Sequence, residues 1–190
     1  VSNEIFNLTV GIIGLGHNGG ATAQIYKALG AKVIAYDPFY DPEQEAFVDY
    51  TDLDTVLRES DIISLHTPLF PSTKNIINAD SLKKMKKTAY LINMARGGLV
   101  DTQALIKALQ DGEIAGAGLD TLADETTYFG KKVSADQVPE DYKTLAAMPN
   151  VVVTPHVAFF TKTSVRNMVE IALNDTVTIV NGGKTRNAVR

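Results

Sequence analysis

The stretch from Thr9 to Asp37 constrains this chain more than any other, because it sets a G-x-G-x-x-G turn between two short apolar runs. Thr9 to Ile13 is apolar and β-branched, the composition of a buried strand. Gly14, Gly16 and Gly19 supply the turn, and Ala21 to Leu29 reads as a helix stopped by Gly30. Lys32 to Tyr36 then forms a second strand, with Asp37 at its C-terminal end. A strand–turn–helix–strand unit is the context in which this glycine pattern signals dinucleotide binding. Gly14 permits the tight turn, Gly16 lets the backbone approach a pyrophosphate, and Gly19 allows close helix–strand packing. The phosphates are expected on the unpaired N–H groups of the helix N-terminus. Asp37 follows the turn by about 20 residues, where a carboxylate accepts from both adenosine ribose hydroxyls and repels a 2′-phosphate. Residues 38 to 44 hold no Arg or Lys to receive such a phosphate, so the pattern selects NAD over NADP.

The same alternation continues. Asp52 to Glu59 reads as a short amphipathic helix with acidic residues in its first turn. Asp61 to His66 is an apolar strand that ends at Thr67-Pro68, since Pro68 cannot donate to a ladder. Asn78 to Lys87 forms a helix whose lysines make a solvated C-terminal end rather than a nucleic-acid patch. Ala89 to Met94 is a strand followed by Ala95-Arg96-Gly97-Gly98, and Asp101 caps a helix over Thr102 to Gln110. Ile114 to Leu119 is a small-residue strand ending in Asp120, and Val151 to Thr154 a strand ending at Pro155-His156. Between them, Thr121 to Asn150 is polar and reads as a long functional loop or lid. Thr161 to Asn181 closes the chain as a helix with Val165, Met168, Val169, Ala172, Leu173, Val177 and Val180 at helical spacing.

Strands and helices alternating at least five times imply an α/β fold, a Rossmann-type doubly wound parallel sheet with helices on both faces. Ligands in such sheets bind beyond the C-terminal strand edge. Asp37, Thr67-Pro68, Arg96, Asp120 and His156 all fall on that edge, from five strands.

Composition narrows the partners. A net charge of −4 argues against nucleic acid, and no run of about 18 apolar residues spans a membrane. There is no basic stretch followed by an apolar one at its start, so no secretory signal is expected, and the start at Val1 suggests an excerpt of a longer chain. The absence of cysteine excludes disulfides, thiolate metal sites and a cysteine nucleophile, and a cytoplasmic location is the simplest expectation. No metal site is expected.

Three polar residues suit acid–base work on a charged small molecule. Arg96 can grip a carboxylate bidentately and stays charged at any working pH. His156 is the residue type that exchanges a proton near neutrality. Glu125 can hydrogen-bond the far ring nitrogen of an imidazole, fixing its tautomer. Beside a nicotinamide ring, such a set suits reduction of a 2-oxo acid. His17 in the glycine loop reads as a phosphate-contacting or solvent-facing side chain, and His66 as structural.

With these residues in hand, the whole chain resembles the D-2-hydroxyacid dehydrogenase family, and its D-lactate dehydrogenase branch in particular. The resemblance rests on Gly14-Leu15-Gly16-His17-Asn18-Gly19, Leu65-His66-Thr67-Pro68-Leu69, Asn93-Met94-Ala95-Arg96-Gly97-Gly98, Leu119-Asp120 and Thr154-Pro155-His156-Val157-Ala158. It implies Arg96, Glu125 and His156 as catalytic residues, and the 29-residue step from Arg96 to Glu125 agrees with the family's spacing. It implies cofactor contacts at His17, Asn18, Asp37, Thr67, Pro68, Thr73, Met94, Ala95, Arg96 and Asp120, the last beside the nicotinamide. Phe159 is expected to line the substrate pocket or to pack in the core. The chain departs from the family's usual pattern at Asn18, where a branched apolar residue is common, and at Thr126, where Pro is common after the Glu.

The resemblance implies an NAD-dependent oxidoreductase for a D-2-hydroxy acid/2-oxo acid pair such as D-lactate and pyruvate, working as a homodimer. Residues 1–190 are expected to be the NAD-binding domain alone, poorly active without the family's mainly N-terminal substrate domain. The alternatives are D-2-hydroxyisocaproate, phosphoglycerate or another D-2-hydroxyacid as substrate, and, from a different class, an NAD-sensing corepressor-like binding module. Formate dehydrogenases share much of the pattern but place a Gln opposite the His, which the Glu125 reading disfavours.

Overall fold

The computed structural model describes residues 4–134 and 136–188. These fall into two compact units, Val1–Pro155 and His156–Arg190. The first is a seven-stranded, all-parallel sheet: β1 (Thr9–Ile13), β2 (Lys32–Tyr36), β3 (Asp49–Tyr50), β4 (Ile62–Leu65), β5 (Tyr90–Asn93), β6 (Gly116–Leu119) and β7 (Val151–Val153), in the spatial order β3-β2-β1-β4-β5-β6-β7. The order reverses between β1 and β4, which makes the crevice beyond their C-terminal ends the topological switch point.

Alternation along β1 feeds two cores. Val10 and Ile12 face a cluster with Leu15, Val33, Ala35 and Ala23 of α1 (His17–Ala28). Ile13 faces the larger cluster, built with Val56 and Leu57 of α2 (Leu53–Glu59), Leu82 of α3 (Ala79–Lys84), Leu105 of α4 (Thr102–Gln110) and Leu145 of α5 (Glu140–Ala147). Helices therefore cover both faces of the sheet, as the alternation predicts. Each fully buried aliphatic side chain of this kind contributes about 1.5–3 kcal/mol. Asp52, Asn78 and Asp101 cap α2, α3 and α4 by accepting backbone N–H groups of the first turn. The Asp61 carboxylate accepts from Thr9 N at 2.9 Å and from Lys86 Nζ at 2.8 Å, joining the starts of β1 and β4 to the segment after α3.

Two expectations need correction. The first helix begins at His17, four residues before Ala21, because its opening turn is built from residues of poor intrinsic propensity, Asn18, Gly19 and Gly20. The polar segment 121–150 is not one long loop. It holds a 3-10 turn at Glu125–Thr127 and the helix α5, which buries only Leu145 and so shows little helical periodicity. The two-residue edge strand β3 has no sequence signal of its own. The other elements are as expected with ends trimmed, α3 stopping at Lys84 and β6 starting at Gly116.

The second unit holds α6 (Lys162–Val180), capped by Thr161, whose hydroxyl accepts from Ser164 N at 3.1 Å. Asp175 on this helix accepts from Thr185 Oγ1 and from Asn187 Nδ2 (2.8 Å), which folds the following segment back along it. The helix buries none of its residues: Met168, Val169, Leu173, Val177 and Val180 are all exposed. Among the described residues no helix is long and apolar enough to cross a membrane.

Candidate cofactor and catalytic site

The glycine turn is built as its spacing predicts. Gly14 adopts φ 94°, a left-handed conformation closed to most L side chains, and a Cβ there would lie 2.6 Å from Thr67 N. A Cβ on Gly19 would overlap the Gly14 carbonyl, so α1 can lie this close to β1 only with glycine at that position. Gly16 differs in kind: a Cβ on it would meet nothing within 4 Å. The space beside it is open, and Gly16 caps α1 without any side-chain hydrogen bond to the first-turn N–H groups. An open cradle at an uncapped helix N-terminus fits a pyrophosphate. His17 and Asn18 are exposed at the rim of this cradle.

Asp37, half-buried just past β2, accepts from Leu15 N at 2.6 Å and from Phe39 N at 2.8 Å. Each carboxylate oxygen can accept more than one hydrogen bond, so these contacts leave acceptor capacity for ribose hydroxyls. Thr67 and Thr73 line a cavity of about 210 Å³ with Ile13, Gly14, Tyr36 and Pro38, at the switch point between β1 and β4. Thr73 Oγ1 donates to the Pro68 carbonyl at 2.7 Å and accepts Phe70 N at 2.8 Å, which closes the turn carrying Pro68. His66 lies under the same turn. Its Nε2 is 2.8 Å from Ser64 Oγ, and burial holds its pKa below the ordinary histidine value. That fits the structural role expected for it.

Arg96 sits on a loop locked by one buried side chain. Asn93, 1% exposed at the end of β5, donates from Nδ2 to the Arg96 carbonyl (3.0 Å) and accepts Ala95 N at Oδ1 (3.1 Å). Met94 and Arg96 are exposed, and Arg96 Nη1 donates to the Ala95 carbonyl at 2.6 Å. The next residue, Gly97, packs so tightly on the 122–123 backbone that a Cβ would overlap the Leu122 carbonyl. Leu122 N in turn donates to Glu125 Oε2 at 2.7 Å, and Asp124 before it takes a left-handed φ of 55°. Arg96 and Glu125 are thus fixed to opposite sides of one backbone contact. Both line a cavity of about 570 Å³, with Leu69, Lys74, Gly97 and Gln103. Beyond Glu125, Tyr128 stacks edge-on with Phe129 and Tyr142, and burial together with Glu125 and neighbouring acids pushes its phenol up to about 12.

Asp120, directly after β6, is 4% exposed, and its Oδ1 accepts from Thr154 Oγ1 at 2.5 Å. In the second unit, His156 is half-buried and also left-handed, with φ 54°, a strain of the kind that persists where surroundings over-determine the backbone. Its ring meets Phe159 edge-on, centroids 6.1 Å apart, and Phe159 is 45% exposed rather than packed in a core. The structure thus gathers Gly14, Gly16, Asp37, Thr67 and Thr73 around the switch point, Arg96 and Glu125 around a second cavity, and His156 with Phe159 in the other unit. Asn93 and Thr154 stand in the motifs quoted above, but their supporting roles were not among the expectations. The partner of Thr154 lies on a neighbouring strand, whereas Asn93 closes its own loop onto Ala95 and Arg96. Among the described residues no group of His, Cys, Asp or Glu is placed to hold a metal ion.

Residues 1–158 match the family model described as D-isomer specific 2-hydroxyacid dehydrogenase, NAD binding domain. The chain is 40% identical over 192 residues to a D-lactate dehydrogenase of Lactiplantibacillus plantarum, covering 100% of this chain and 58% of that protein. It is 39% identical over 191 residues to a D-2-hydroxyacid dehydrogenase (NAD(+)) of Clostridioides difficile, with the same 100% and 58% coverage. Among solved structures, the NAD-complexed D-isomer specific 2-hydroxyacid dehydrogenase from Lactobacillus delbrueckii ssp. bulgaricus superposes with a TM-score of 0.97 at 67% identity, over 100% of this chain and 58% of that one. The chain therefore spans little more than half the length of the relatives it matches.

Proposed function

The chain belongs to the D-isomer specific 2-hydroxyacid dehydrogenase family, and on that footing we propose that residues 1–190 form the NAD-binding domain of a dehydrogenase acting on a D-2-hydroxy acid/2-oxo acid pair, D-lactate and pyruvate first. The observation that carries this reading is the cavity shared by Arg96 and Glu125 at the same strand edge as the glycine turn. NAD chemistry is favoured by the open Gly16 cradle and by Asp37, with no cation among residues 38–44 to accept a 2′-phosphate.

When bound, NADH supplies the hydride that reduces the 2-oxo carbon. The chain's own groups do the rest. Arg96 offers a planar fork to the substrate carboxylate, which orients the adjacent carbonyl. His156 delivers a proton to the carbonyl oxygen as it becomes an alkoxide, and takes one back in the reverse direction. Glu125 serves as the carboxylate that orients an imidazole and fixes its tautomer, and Asp120 lies at the nicotinamide end. Phe159, edge-on to the His156 ring, offers an apolar wall for the substrate side chain. A homodimer located in the cytoplasm completes the proposal.

The test is a fluorescence titration of this chain with NADH and NADPH, followed by turnover of the full-length protein on a panel of 2-oxo acids. Saturable NADH binding with much weaker NADPH binding supports the cofactor reading. Pyruvate reduction within the panel supports the substrate reading, while binding of neither nucleotide overturns both.

A further inference from the structure

Strands β6 and β7 pair in parallel with Leu119 opposite Val153. The residues that follow, Asp120 and Thr154, are therefore also opposite each other, one step beyond the ladder. Thr154 N donates to the Leu119 carbonyl at 2.9 Å, which carries the ladder through that step, and Asp120 N donates to the Asn93 carbonyl of β5 at 2.9 Å. Both backbones are thus fixed before the side chains meet. The Thr154 hydroxyl then donates to Asp120 Oδ1 at 2.5 Å, the short distance of a charge-assisted bond.

We propose that Thr154 is the positioning residue for Asp120: its hydroxyl holds the carboxylate in the rotamer that meets the nicotinamide end of the cofactor. The proposal rests on the NAD reading above and adds to it a residue on a different strand. A buried carboxylate with one oxygen anchored loses a rotational degree of freedom, so a ligand group that meets it need not pay to order it. Threonine suits the position on two counts. Its branched Cβ restricts χ1, and its hydroxyl is the shortest donor that reaches across a strand pair. Valine at 154 keeps the shape and removes the donor, while serine keeps the donor and loses only a methyl.

The experiment is isothermal calorimetry of the 190-residue chain with NADH and with ADP-ribose, which carries the adenosine and both phosphates but no nicotinamide. The cost of ordering an unanchored Asp120 on binding predicts up to about tenfold weaker NADH binding in T154V, with T154S within about twofold of the parent. ADP-ribose affinity is expected to stay level in all three proteins. A merely structural role for Thr154 would weaken both ligands together, and that result overturns the proposal, as does unchanged NADH affinity in T154V. If T154V does not fold, T154A against T154S asks the same question with less steric demand. A parent chain that binds ADP-ribose but not NADH also overturns it. A parent that binds neither ligand overturns the NAD reading itself.

Discussion

The Asp37 carboxylate accepts the Leu15 N–H at 2.6 Å, so the end of β2 is tied directly to the glycine turn that follows β1. The side chain that shapes the turn is also the one proposed as the ribose acceptor. These two roles make opposite demands on any attempt to alter cofactor preference.

Asp37→Ala is expected to raise the Kd for NADH at least tenfold and to leave NADPH binding no weaker, because the ribose acceptor and the repulsion of a 2′-phosphate vanish together. It also frees the Leu15 and Phe39 N–H groups, at a cost of about 1–3 kcal/mol. Titration with both nucleotides, alongside urea denaturation, checks the pair of effects. A variant that lost NADH affinity at undiminished stability would show that the Leu15 contact contributes nothing to the turn.

The backbone of this site was readable in advance, and its side-chain supports were not. The glycine turn, five of the strand ends and Asp37 follow from period and punctuation, because apolar alternation and glycine placement are local properties. Thr154 acts on a group that only sheet register brings near, Asp120 of a neighbouring strand, whereas Asn93 acts locally on Ala95 and Arg96 through a loop conformation that apolar period does not signal. The start of α1 stayed hidden for a different reason: its first turn holds Gly19, which close packing on the Gly14 carbonyl requires, and Gly20, both disfavoured by helix propensity. Helix α5 stayed hidden because a helix that buries a single leucine leaves almost no apolar stripe.

Gly97→Ala tests the contact that spaces Arg96 and Glu125. The added methyl would overlap the Leu122 carbonyl, so one backbone segment has to move, at a cost of about 1–3 kcal/mol for overpacking. Gly112→Ala is the control, because that glycine has φ 66° with open space around it and costs only the left-handed strain, about 1–2 kcal/mol. Binding of oxamate to the NADH complex is expected to weaken in Gly97→Ala and not in Gly112→Ala. Equal oxamate affinity in both would remove the Gly97 contact from the substrate site.

His66 makes the stability of the fold pH-dependent on the acid side of neutrality. Burial lowers its folded pKa below the ordinary value of 6.5, so the unfolded chain takes up the proton first. The contribution is fully present above 6.5 and declines as pH falls from there through the lower folded pKa. The carboxylates with lowered pKa, Asp52, Asp61 and Asp175 among them, act only near and below about pH 4 and stay out of this window. Urea midpoints are therefore expected to drop between about pH 7.5 and about pH 5.5, and to drop less in His66→Gln. A parent and variant with parallel pH profiles would show that His66 titrates alike in both states.

An enzyme and an NAD-sensing module would share the glycine turn, Asp37 and the Gly16 cradle, so cofactor binding alone does not separate them. His156 and Arg96 do. If His156 supplies the proton, His156→Ala lowers kcat by about 10²–10⁴-fold while leaving NADH affinity near that of the parent, since proton transfer enters only in the transition state. Arg96→Lys keeps the charge but loses the fork, and is expected to raise KM for pyruvate by about tenfold or more with a smaller loss in kcat. A sensor would respond differently: both variants would keep the NADH-dependent response, and the parent itself would show negligible turnover with any 2-oxo acid. Steady-state kinetics of the full-length parent and its two variants, read beside their NADH titrations, therefore decides between the two classes. An unchanged kcat in His156→Ala would remove the proton-transfer role, and turnover would then have to draw its proton from another group at the strand edge.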